Sequence, residues 1–358
     1  MINAKLILLI VLGFISTGFA QEDILLKDYD PVSVYNVPKT IIEKAKFPVI
    51  DMHSHAYAET PDQVADWVAT MDAKGIEKTI ILSSATGKAF DSIYNRYSPY
   101  SDRFDIWCGI DLSGHEEKGW SKKAVKELER CFKMGAKGVG ELTDKGNGLQ
   151  NSLSAPALGM HFTDDRMKPF LQRCGELGMP INIHVAEPYW MYLPADIHND
   201  GMMNAENWKI DTEKEGIWLH DALIRSLGAI VKNNPKTTII ACHFANCGYD
   251  LDILGKLLDT YDNLYADIAA RYAEVAPVPK RTRAFYEKYQ DRLLYGTDMG
   301  FENSMYEITF RMLESEDEHF YENELFGYHW PLYGLGLSDA ILKKVYHENA
   351  KKILDGSK

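Results

Sequence analysis

Cysteine is scarce in this sequence, with five residues among 358. The number is odd, and Cys108, Cys131, Cys174 and Cys242 lie in apolar stretches that are predicted to be strands or helices. Such a distribution is not typical of a disulfide framework, and the spacings do not match a zinc ribbon. We therefore predict buried free thiols, which behave as small hydrophobic residues.

Positive charge is also in short supply. The chain has 39 Lys and Arg against 52 Asp and Glu, a formal net charge of −13, and no basic run. Binding to nucleic acid depends on Lys and Arg that neutralise phosphates, so this balance argues against a nucleic-acid partner. A Gly-x-Gly-x-x-Gly phosphate loop is also absent, which argues against a dinucleotide-binding sheet. We expect a small-molecule substrate instead.

One hydrophobic run near the start, Leu6 to Ile15, is too short to span a bilayer comfortably. Lys5 precedes it, and the small residues Gly18 and Ala20 follow it. This order is typical of a signal peptide, which we predict at residues 1–20. An uncleaved anchor is the alternative, and no Cys follows the predicted cut to carry a lipid. We predict an exported protein, periplasmic or secreted, without a stable membrane anchor.

Hydrophobic residues make up 46% of the chain, which is ample for a large core. After a lead-in at residues 21–46, apolar runs alternate with helical patterns, as in a parallel sheet. Eight units of about 30–35 residues predict an α/β fold, a (β/α)₈ TIM barrel over residues 47–358 with a C-terminal helical extension. The predicted strands are 47–55, 79–83, 104–112, 136–142, 180–185, 237–244, 264–270 and 292–298. A doubly wound open sheet is the structural alternative.

Two histidines end the first predicted strand, in the sequence Asp51-Met52-His53-Ser54-His55. Side chains at positions i and i+2 of a strand point to the same face, so His53 and His55 project together. Two imidazoles in that arrangement suit one metal ion, although a single His-x-His pair is a weak signal. Asp51 has the same parity and is predicted to support a ligand from the outer shell of the site.

Further polar residues end other predicted strands. They are Glu141 in strand four, His184 in strand five, His243 in strand six and Asp298 in strand eight. In a barrel of this kind the active site lies at the carboxyl ends of the strands. Each residue alone has a structural interpretation, such as a hydrogen-bonded core histidine or a turn aspartate. Their joint placement favours a shared catalytic centre.

Two long irregular loops, 143–165 and 186–216, follow strands four and five on the same rim. Loops of this length often have a function of their own. We interpret Trp190 and Tyr192 as walls of a substrate pocket. Arg271, just past strand seven, is interpreted as a residue whose planar guanidinium group binds a substrate carboxylate. The alternatives are that the aromatic residues only cover the barrel and that Arg271 forms a surface salt bridge.

These motifs resemble the amidohydrolase superfamily of metal-dependent (β/α)₈ barrels. More narrowly, they are similar to the amidohydrolase-related group that includes aminocarboxymuconate semialdehyde decarboxylase and related hydrolases. In one departure, Met299-Gly300 stands where a Pro often follows the Thr-Asp pair, which leaves ligation intact. The matching segments, spread over about residues 47–355, are Asp51 to His55, Ile183 to Val185, Ala241 to His243, Tyr295 to Asp298 and His347 to Leu354.

The resemblance implies that His53, His55, His184 and Asp298 hold one divalent metal. Zn²⁺ is expected, and Mn²⁺ or Fe²⁺ also suit these ligands. Asp298 would accept a proton from the attacking water, and His243 would donate to, or orient, the attacked oxygen. A second metal held by Glu141 and His243 is the alternative; without it, Glu141 has a structural or substrate role.

The activity implied by the resemblance is hydrolysis of a C–N or C–O bond, in a small amide, ester or lactone, by metal-activated water. Decarboxylation of a small unsaturated or aromatic acid is the alternative, and a non-catalytic binding barrel is a third hypothesis. Export favours hydrolysis, since scavenging enzymes work outside the cytoplasm. The segment Tyr321 to Leu337 is predicted either to cap the barrel or to pack on a neighbouring subunit, so a homodimer is an open alternative.

Overall fold

The computed structural model describes residues 25–151, 153–202 and 209–356. The predicted signal peptide at residues 1–20 lies outside these ranges and stays a prediction. Within them, no helix is both long and apolar enough to cross a membrane. The described part of the lead-in, residues 25–46, contains a short 3₁₀ turn at Leu26–Asp28 and otherwise irregular backbone.

Eight parallel strands form the centre of the fold within the described residues. They are β1 Val49–Ser54, β2 Ile76–Leu82, β3 Phe104–Trp107, β4 Val139–Asp144, β5 Ile181–Val185, β6 Ile239–Ala241, β7 Leu264–Asp267 and β8 Leu293–Leu294. β1 to β3 pair in sequence order in one sheet, and β4 to β8 pair in sequence order in another. Sequential parallel pairing of this kind requires a crossover connection between successive strands, as in a TIM barrel.

Backbone hydrogen bonds join the two sheets at both edges. Between β3 and β4, Cys108 pairs with Val139 in a parallel bridge, and Gly140 N donates to Cys108 O over 2.8 Å. Between β8 and β1, Met52 N donates to Tyr295 O over 2.9 Å. The strands therefore close into the predicted barrel, with all their carboxyl ends on one rim.

Helices pack around the barrel. The described helices are α1 Pro61–Lys74, α2 Gly87–Tyr97, α3 Trp120–Met134, α4 Lys168–Leu177, α5 His220–Asn233, α6 Leu251–Thr260, α7 Tyr272–Val275, α8 Pro279–Tyr289, α9 Asn303–Glu314, α10 Asn323–Phe326, α11 Asp339–Lys343 and α12 Asn349–Gly356. A π-helical turn at Lys344–Glu348 joins α11 to α12, which form the predicted C-terminal extension.

Local sequence explains the bounds of α1. Thr60 and Gln63 form a capping box, in which each side chain accepts a hydrogen bond from the backbone N–H of the other residue. Pro61 occupies the first turn, where the backbone N–H that proline lacks would have no partner within the helix. Gly75 ends the helix in the left-handed conformation with φ 80°. Both ends of this helix match the sequence prediction.

The core is apolar and contains the predicted thiols. All five cysteines are free and buried, as predicted. On the inner face of α1, Trp67 is fully buried and stacks on Phe301 with ring centroids 4.6 Å apart. Its indole Nε1 donates to Tyr306 Oη over 3.2 Å. Burial of a side chain this large stabilises the packing of α1 against α9 and the chain before it.

Four strands end at least three residues earlier than predicted, and three of the described helices, α2, α7 and α10, are not among the predicted ones. β3 ends at Trp107, β6 at Ala241, β7 at Asp267 and β8 at Leu294. The residues that we assigned to the ends of these strands leave the ladder to form the rim loops instead. α2 occupies a segment in which the sequence analysis predicts no helix. Its buried residues Phe90 and Tyr97, seven positions apart on one face, are the available signal.

Candidate metal centre and active site

The histidines of β1 and the aspartate after β8 meet at the carboxyl rim. His53 lies within β1, and His55 directly follows it. Asp298 N donates to His53 O over 2.9 Å, which holds the aspartate beside the strand. Asp298 Oδ1 lies 2.9 Å from His55 Nε2 and 3.5 Å from His53 Nε2. The structure thus brings together three of the four predicted metal ligands.

Glu141, in β4, and His243, after β6, lie beside these three residues. Glu141 Oε1 lies 3.9 Å from His53 Nε2 and 3.5 Å from His243 Nε2, and its Oε2 lies 3.8 Å from His55 Nε2. His243 Nε2 is also 3.6 Å from Asp298 Oδ2. We call His53, His55, Glu141, His243 and Asp298 the rim cluster.

The rim cluster has the geometry of a cation site. Ligands bound to one tetrahedral metal at 2.0–2.1 Å lie about 3.3 Å apart, which falls within the separations in the cluster. His53 Nε2 is buried and has no hydrogen-bond partner among the described residues. A buried nitrogen without a partner is costly, and a bound cation would satisfy it. Imidazole and carboxylate ligands suit Zn²⁺ or Mn²⁺.

Two overlapping groups in the described residues are candidates for ligation, each with ligand atoms within 4.8 Å of one another. One comprises His53, His55 and Asp298, and the other comprises His53, Glu141, Cys242 and His243. His53 belongs to both. The second group fits the alternative of a second metal, with Cys242 as a member that the sequence did not suggest.

Hydrogen bonds behind the imidazoles of β1 aim their Nε2 atoms at the cluster. His53 Nδ1 donates to Asp267 Oδ2 over 2.9 Å, and His55 Nδ1 donates to Leu82 O over 2.8 Å. A neutral imidazole carries one N–H, so in the neutral form of each ring this bond leaves the lone pair on Nε2. This is the arrangement that orients histidine ligands toward a metal in proteins.

Mutual charge dominates the protonation of the rim cluster. Burial would raise the pKa of Glu141 and Asp298, but the neighbouring histidines outweigh it and hold both pKa values well below the usual range. Burial would lower the pKa of His53 and His55, but Asp267 and Asp298 raise that of His53 well above its usual value, and Asp298 raises that of His55. The carboxylates therefore retain protons on the imidazoles, and a cation must displace those protons to bind.

His184 contacts the rim cluster from behind. Its Nδ1 lies 2.7 Å from Glu141 Oε1, and its Nε2 lies 2.9 Å from Ala186 O and 3.5 Å from Glu187 Oε2. Both ring nitrogens face oxygen acceptors, and Glu141 and Glu187 outweigh burial to raise the pKa of His184. In this arrangement His184 holds Glu141, and its direct ligation of a metal stays a prediction.

A left-handed turn positions His243, which lies after β6 and not within strand six as predicted. The four residues 243–246 have φ between 53° and 60°, a conformation that is uncommon for residues other than glycine. His243 N donates to Asp267 Oδ1 over 2.8 Å, and His243 Nδ1 donates to Ala269 O over 2.9 Å. Asn246 Nδ2 donates to two carbonyl oxygens at the end of β5. Burial lowers the pKa of His243, so its ring is neutral with a lone pair on Nε2.

Two cavities reach the rim cluster from different sides. A cavity of about 490 Å³ is lined by His55 and Glu141 together with uncharged residues at or after the ends of β2, β3 and β4. A second cavity, of about 350 Å³, is lined by His184, His243 and Asp298 together with residues after β4, β5, β7 and β8. We call them the β2–β4 cavity and the β5–β8 cavity. Within the described chain they have no lining residue in common, and each is lined by different members of the rim cluster.

A family model for amidohydrolases matches residues 40–356, which is most of the chain. The chain belongs to the amidohydrolase family. This agrees with the resemblance drawn from the motifs and with the closed parallel barrel. Among proteins of curated function, a search finds no match.

Solved structures share the amidohydrolase barrel at low identity, which establishes the fold alone. An uncharacterised TIM-barrel protein from Bordetella bronchiseptica is 16% identical with a TM-score of 0.55, over 87% of this chain and 99% of that one. A putative amidohydrolase from Staphylococcus aureus is 15% identical with a TM-score of 0.55, over 86% and 100%. Dihydroxybenzoic acid decarboxylase from a Polaromonas species is 16% identical with a TM-score of 0.54, over 86% and 97%.

This amidohydrolase barrel contains a buried carboxylate that sequence reasoning overlooked. Asp267 ends β7, is fully buried, and accepts hydrogen bonds from His53 Nδ1, His243 N and Asn182 Nδ2. The two histidines outweigh burial and lower its pKa. The signal was available, because Asp267 follows an apolar run in the same way as Asp298.

Asp51 lies beside the site and accepts hydrogen bonds from backbone N–H groups, not from the metal-facing side chains. Its Oδ1 accepts from His53 N and from Thr297 N, both over 3.1 Å, and its Oδ2 accepts from Thr297 Oγ1 over 2.7 Å. Burial raises the pKa of Asp51 to about 7. The side chain thus ties β1 to the residue that precedes Asp298 and fixes both halves of the site.

The predicted substrate residues have different surroundings. Arg271 and Trp190 line the β5–β8 cavity, whereas Tyr192 is not among the described residues that line it. Tyr192 Oη instead accepts from Glu187 N over 3.2 Å. Arg271 is mostly buried, with Nη2 3.4 Å from Glu187 Oε2 and Nε 3.3 Å from Glu274 Oε1. Among the described residues its ion pairs are therefore buried at the rim, and its contact with a substrate stays a prediction.

Proposed function

We propose that this protein is an exported, metal-dependent hydrolase that cleaves a C–N or C–O bond in a small amide or ester. The pair of cavities on either side of the rim cluster carries the proposal. Cleavage of an amide or ester divides the substrate into two fragments, and each fragment needs room on its own side of the scissile bond. A lactone opens without dividing and fits this arrangement less well.

The sizes of the cavities support the same argument. Both, at about 490 and 350 Å³, fall within the range of about 300–1,000 Å³ that is typical of small-molecule pockets. Decarboxylation releases carbon dioxide, a fragment too small to require a second cavity of this size. The volume on both sides of the cluster therefore favours hydrolysis.

In this proposal His53, His55 and Asp298 hold a divalent metal, with Glu141 or His184 completing the site. Zn²⁺ is the expected ion, and the manganese in the solved dihydroxybenzoic acid decarboxylase supports Mn²⁺ as an alternative. When bound, the metal polarises the scissile carbonyl group and makes a water molecule more acidic. One ion is enough to satisfy the unpaired Nε2 of His53.

Two residues are assigned to proton transfer. Asp298 accepts the proton of the attacking water on Oδ2, because its Oδ1 faces His53 and His55. His243 Nε2, 3.6 Å from that oxygen, takes over the proton and donates it to the departing nitrogen or oxygen. A neutral His243 is ready for the first of these steps, and its protonated form is the donor in the second. The resemblance implies a different role for His243, which is to donate to, or orient, the attacked oxygen.

Decarboxylation of a small unsaturated or aromatic acid is the second candidate. The solved dihydroxybenzoic acid decarboxylase favours it, because that protein has the same fold with bound manganese and the inhibitor 2-nitroresorcinol. Loss of a carboxylate as carbon dioxide leaves one product, so this candidate predicts that only one of the two cavities is occupied.

An assay in water labelled with oxygen-18 separates the candidates. The purified protein, supplied with Zn²⁺ or Mn²⁺, is incubated with aryl esters, anilides and hydroxybenzoic acids. Label in a carboxylic acid product supports hydrolysis, whereas carbon dioxide release from the acids without ester or anilide cleavage overturns it. Asp298→Asn is expected to abolish the activity. Asp144→Asn is the matched control, since Asp144 is also buried in the rim but accepts from His161 Nδ1 over 2.8 Å.

Export rests on the apolar run and small residues of the first twenty positions. N-terminal sequencing of the protein recovered from its native cell tests it. A mature chain that starts at Gln21 is expected, and a chain that retains Met1 in the cytoplasm contradicts the proposal.

A further inference from the structure

A third cavity, of about 370 Å³, lies beside the β5–β8 cavity and is walled by aromatic side chains. Tyr189 stacks on Tyr249 with ring centroids 4.1 Å apart, and Trp330 stacks on Tyr328 at 4.2 Å. Tyr249 is 47% exposed, so this cavity opens to solvent. We call it the aromatic cleft; its lining residues include Tyr189, Trp190, Leu193, Tyr249, Val278 and Trp330.

The aromatic cleft is contiguous with the active site. Trp190 and Glu274 line both the cleft and the β5–β8 cavity, and that cavity is lined by His243 and Asp298 of the rim cluster. A ligand that lies against Trp190 in the cleft is therefore next to the cavity that receives one side of the scissile bond. The natural occupant of the cleft is a distal part of the same substrate.

The chemistry of the walls restricts that occupant. Among the residues that line the cleft, the charged side chains are Asp200 and Glu274, both acidic, and there is no Lys or Arg in the described lining. Glu274 is already paired with Arg271 and accepts from Tyr328 Oη over 2.8 Å. Asp200 is therefore the carboxylate that disfavours an anionic group in the cleft and to which a hydroxyl group can donate. Aromatic walls favour a ring that presents a flat apolar face to them.

We propose that the aromatic cleft is a distal subsite that binds an uncharged, hydroxylated six-membered ring of the substrate, either a phenol or a pyranose sugar. This inference rests on the proposed function for the position of the scissile bond. The segment Tyr321 to Leu337 supplies Trp330 to the cleft and Tyr328 to the adjoining cavity, which accords with the predicted capping of the barrel by this segment.

Ligand-observed NMR titration of the purified protein tests the subsite without catalysis. The probes are 4-methylphenol and methyl β-D-glucopyranoside, with 4-methylbenzoate as the anionic counterpart. Tyr249→Leu removes one aromatic wall and is expected to weaken the binding of whichever neutral ring binds by about three- to tenfold. Tyr249→Phe keeps the ring and is expected to restore the affinity. Phe47→Leu, before β1 at the opposite end of the barrel, is the matched control and is expected to change nothing.

Each outcome of the titration decides the proposal. Binding of either neutral ring that depends on the aromatic ring at position 249 supports it, and the probe that binds identifies the class. Absence of binding by both neutral rings, equal binding to Tyr249→Leu, or tighter binding of 4-methylbenzoate overturns it. Because the titration measures binding and not turnover, it tests the subsite independently of the proposed hydrolysis. Ring binding without any cleavage of esters or anilides refutes the proposed function alone.

Discussion

Replacement of Asp267 by asparagine tests how the fold prepares His53 for a metal. Both oxygens of Asp267 accept hydrogen bonds: Oδ2 from His53 Nδ1 and Asn182 Nδ2, and Oδ1 from the backbone N–H groups of His243 and Ala269. Every neighbour is thus a donor, and an asparagine amide group has no orientation that satisfies all of them. The substitution keeps the volume of the side chain, so its effects report on hydrogen bonding.

The magnitude follows from the two orientations of the amide. If its NH₂ group faces His53, the imidazole must move its proton to Nε2, and the lone pair directed at the rim cluster is lost. If the NH₂ group faces His243 N and Ala269 N, two buried backbone donors lose their acceptor, at about 1–3 kcal/mol each. Loss of such a supporting hydrogen bond typically weakens metal affinity by about 10- to 100-fold.

The assay is competition for Zn²⁺ or Mn²⁺ between the protein and a chelator of known affinity, with Asp267→Asn beside the unmodified chain. Asp144→Asn is the control, because it makes the same change in a buried carboxylate that accepts from His161 and not from a histidine of the rim cluster. We expect the control to retain its affinity within about twofold, on the reasoning that distant sites act independently. Equal metal affinity in all three proteins would refute the idea that Asp267 orients a ligand.

Three further predictions concern protonation and packing. Metal affinity should fall as pH is lowered, by up to about tenfold per pH unit for each proton displaced, because the pKa values of His53 and His55 are raised; a chelator titration at several pH values checks this. The pKa of Asp51 is raised to about 7, so the folded protein retains a proton that an unfolded aspartate releases near pH 4. The free energy of unfolding should therefore fall as pH rises toward and through 7, by about 4 kcal/mol at most. Urea unfolding at several pH values should show this fall in the unmodified protein but not in Asp51→Asn. Trp67→Ala removes a buried ring stacked on Phe301 and should lower the free energy of unfolding by about 3–5 kcal/mol, measured as a shift in urea midpoint.

The sequence was most informative where a single local rule decides the structure. The i, i+2 alternation of a strand was enough to place His53 and His55 on one side, and apolar runs were enough to place Glu141 and Asp298 on the same rim. The residue types at Pro61 and Gly75 were enough to predict the start and the end of helix α1. Such features depend on neighbours in sequence, so they can be predicted without knowledge of the tertiary contacts.

Features that depend on contacts between distant residues were not predictable in the same way. His184 faces Glu141 and Ala186 because of its side-chain orientation, which strand parity does not determine. The left-handed turn at residues 243–246 contains no glycine, and the hydrogen bonds that it donates to acceptors in β5 and β7 hold it in place. Asp267 is different, since it satisfied the strand-end rule and was simply overlooked.

The two cavities also could not be predicted from the sequence, because loops that follow several different strands form each of them. The long loops after β4 and β5 indicated a substrate pocket, but not its division by the rim cluster. The two cavities are the basis of our proposal of hydrolysis, which the sequence analysis gives as the first hypothesis with decarboxylation as the alternative.

Anomalous X-ray diffraction from crystals of the protein, at the absorption edges of zinc and manganese, tests the central claim most directly. We expect a peak about 2.0–2.2 Å from His53 Nε2, His55 Nε2 and an oxygen of Asp298. A peak bound elsewhere, or no peak in crystals equilibrated with either metal, would contradict the assignment of these residues as a metal centre.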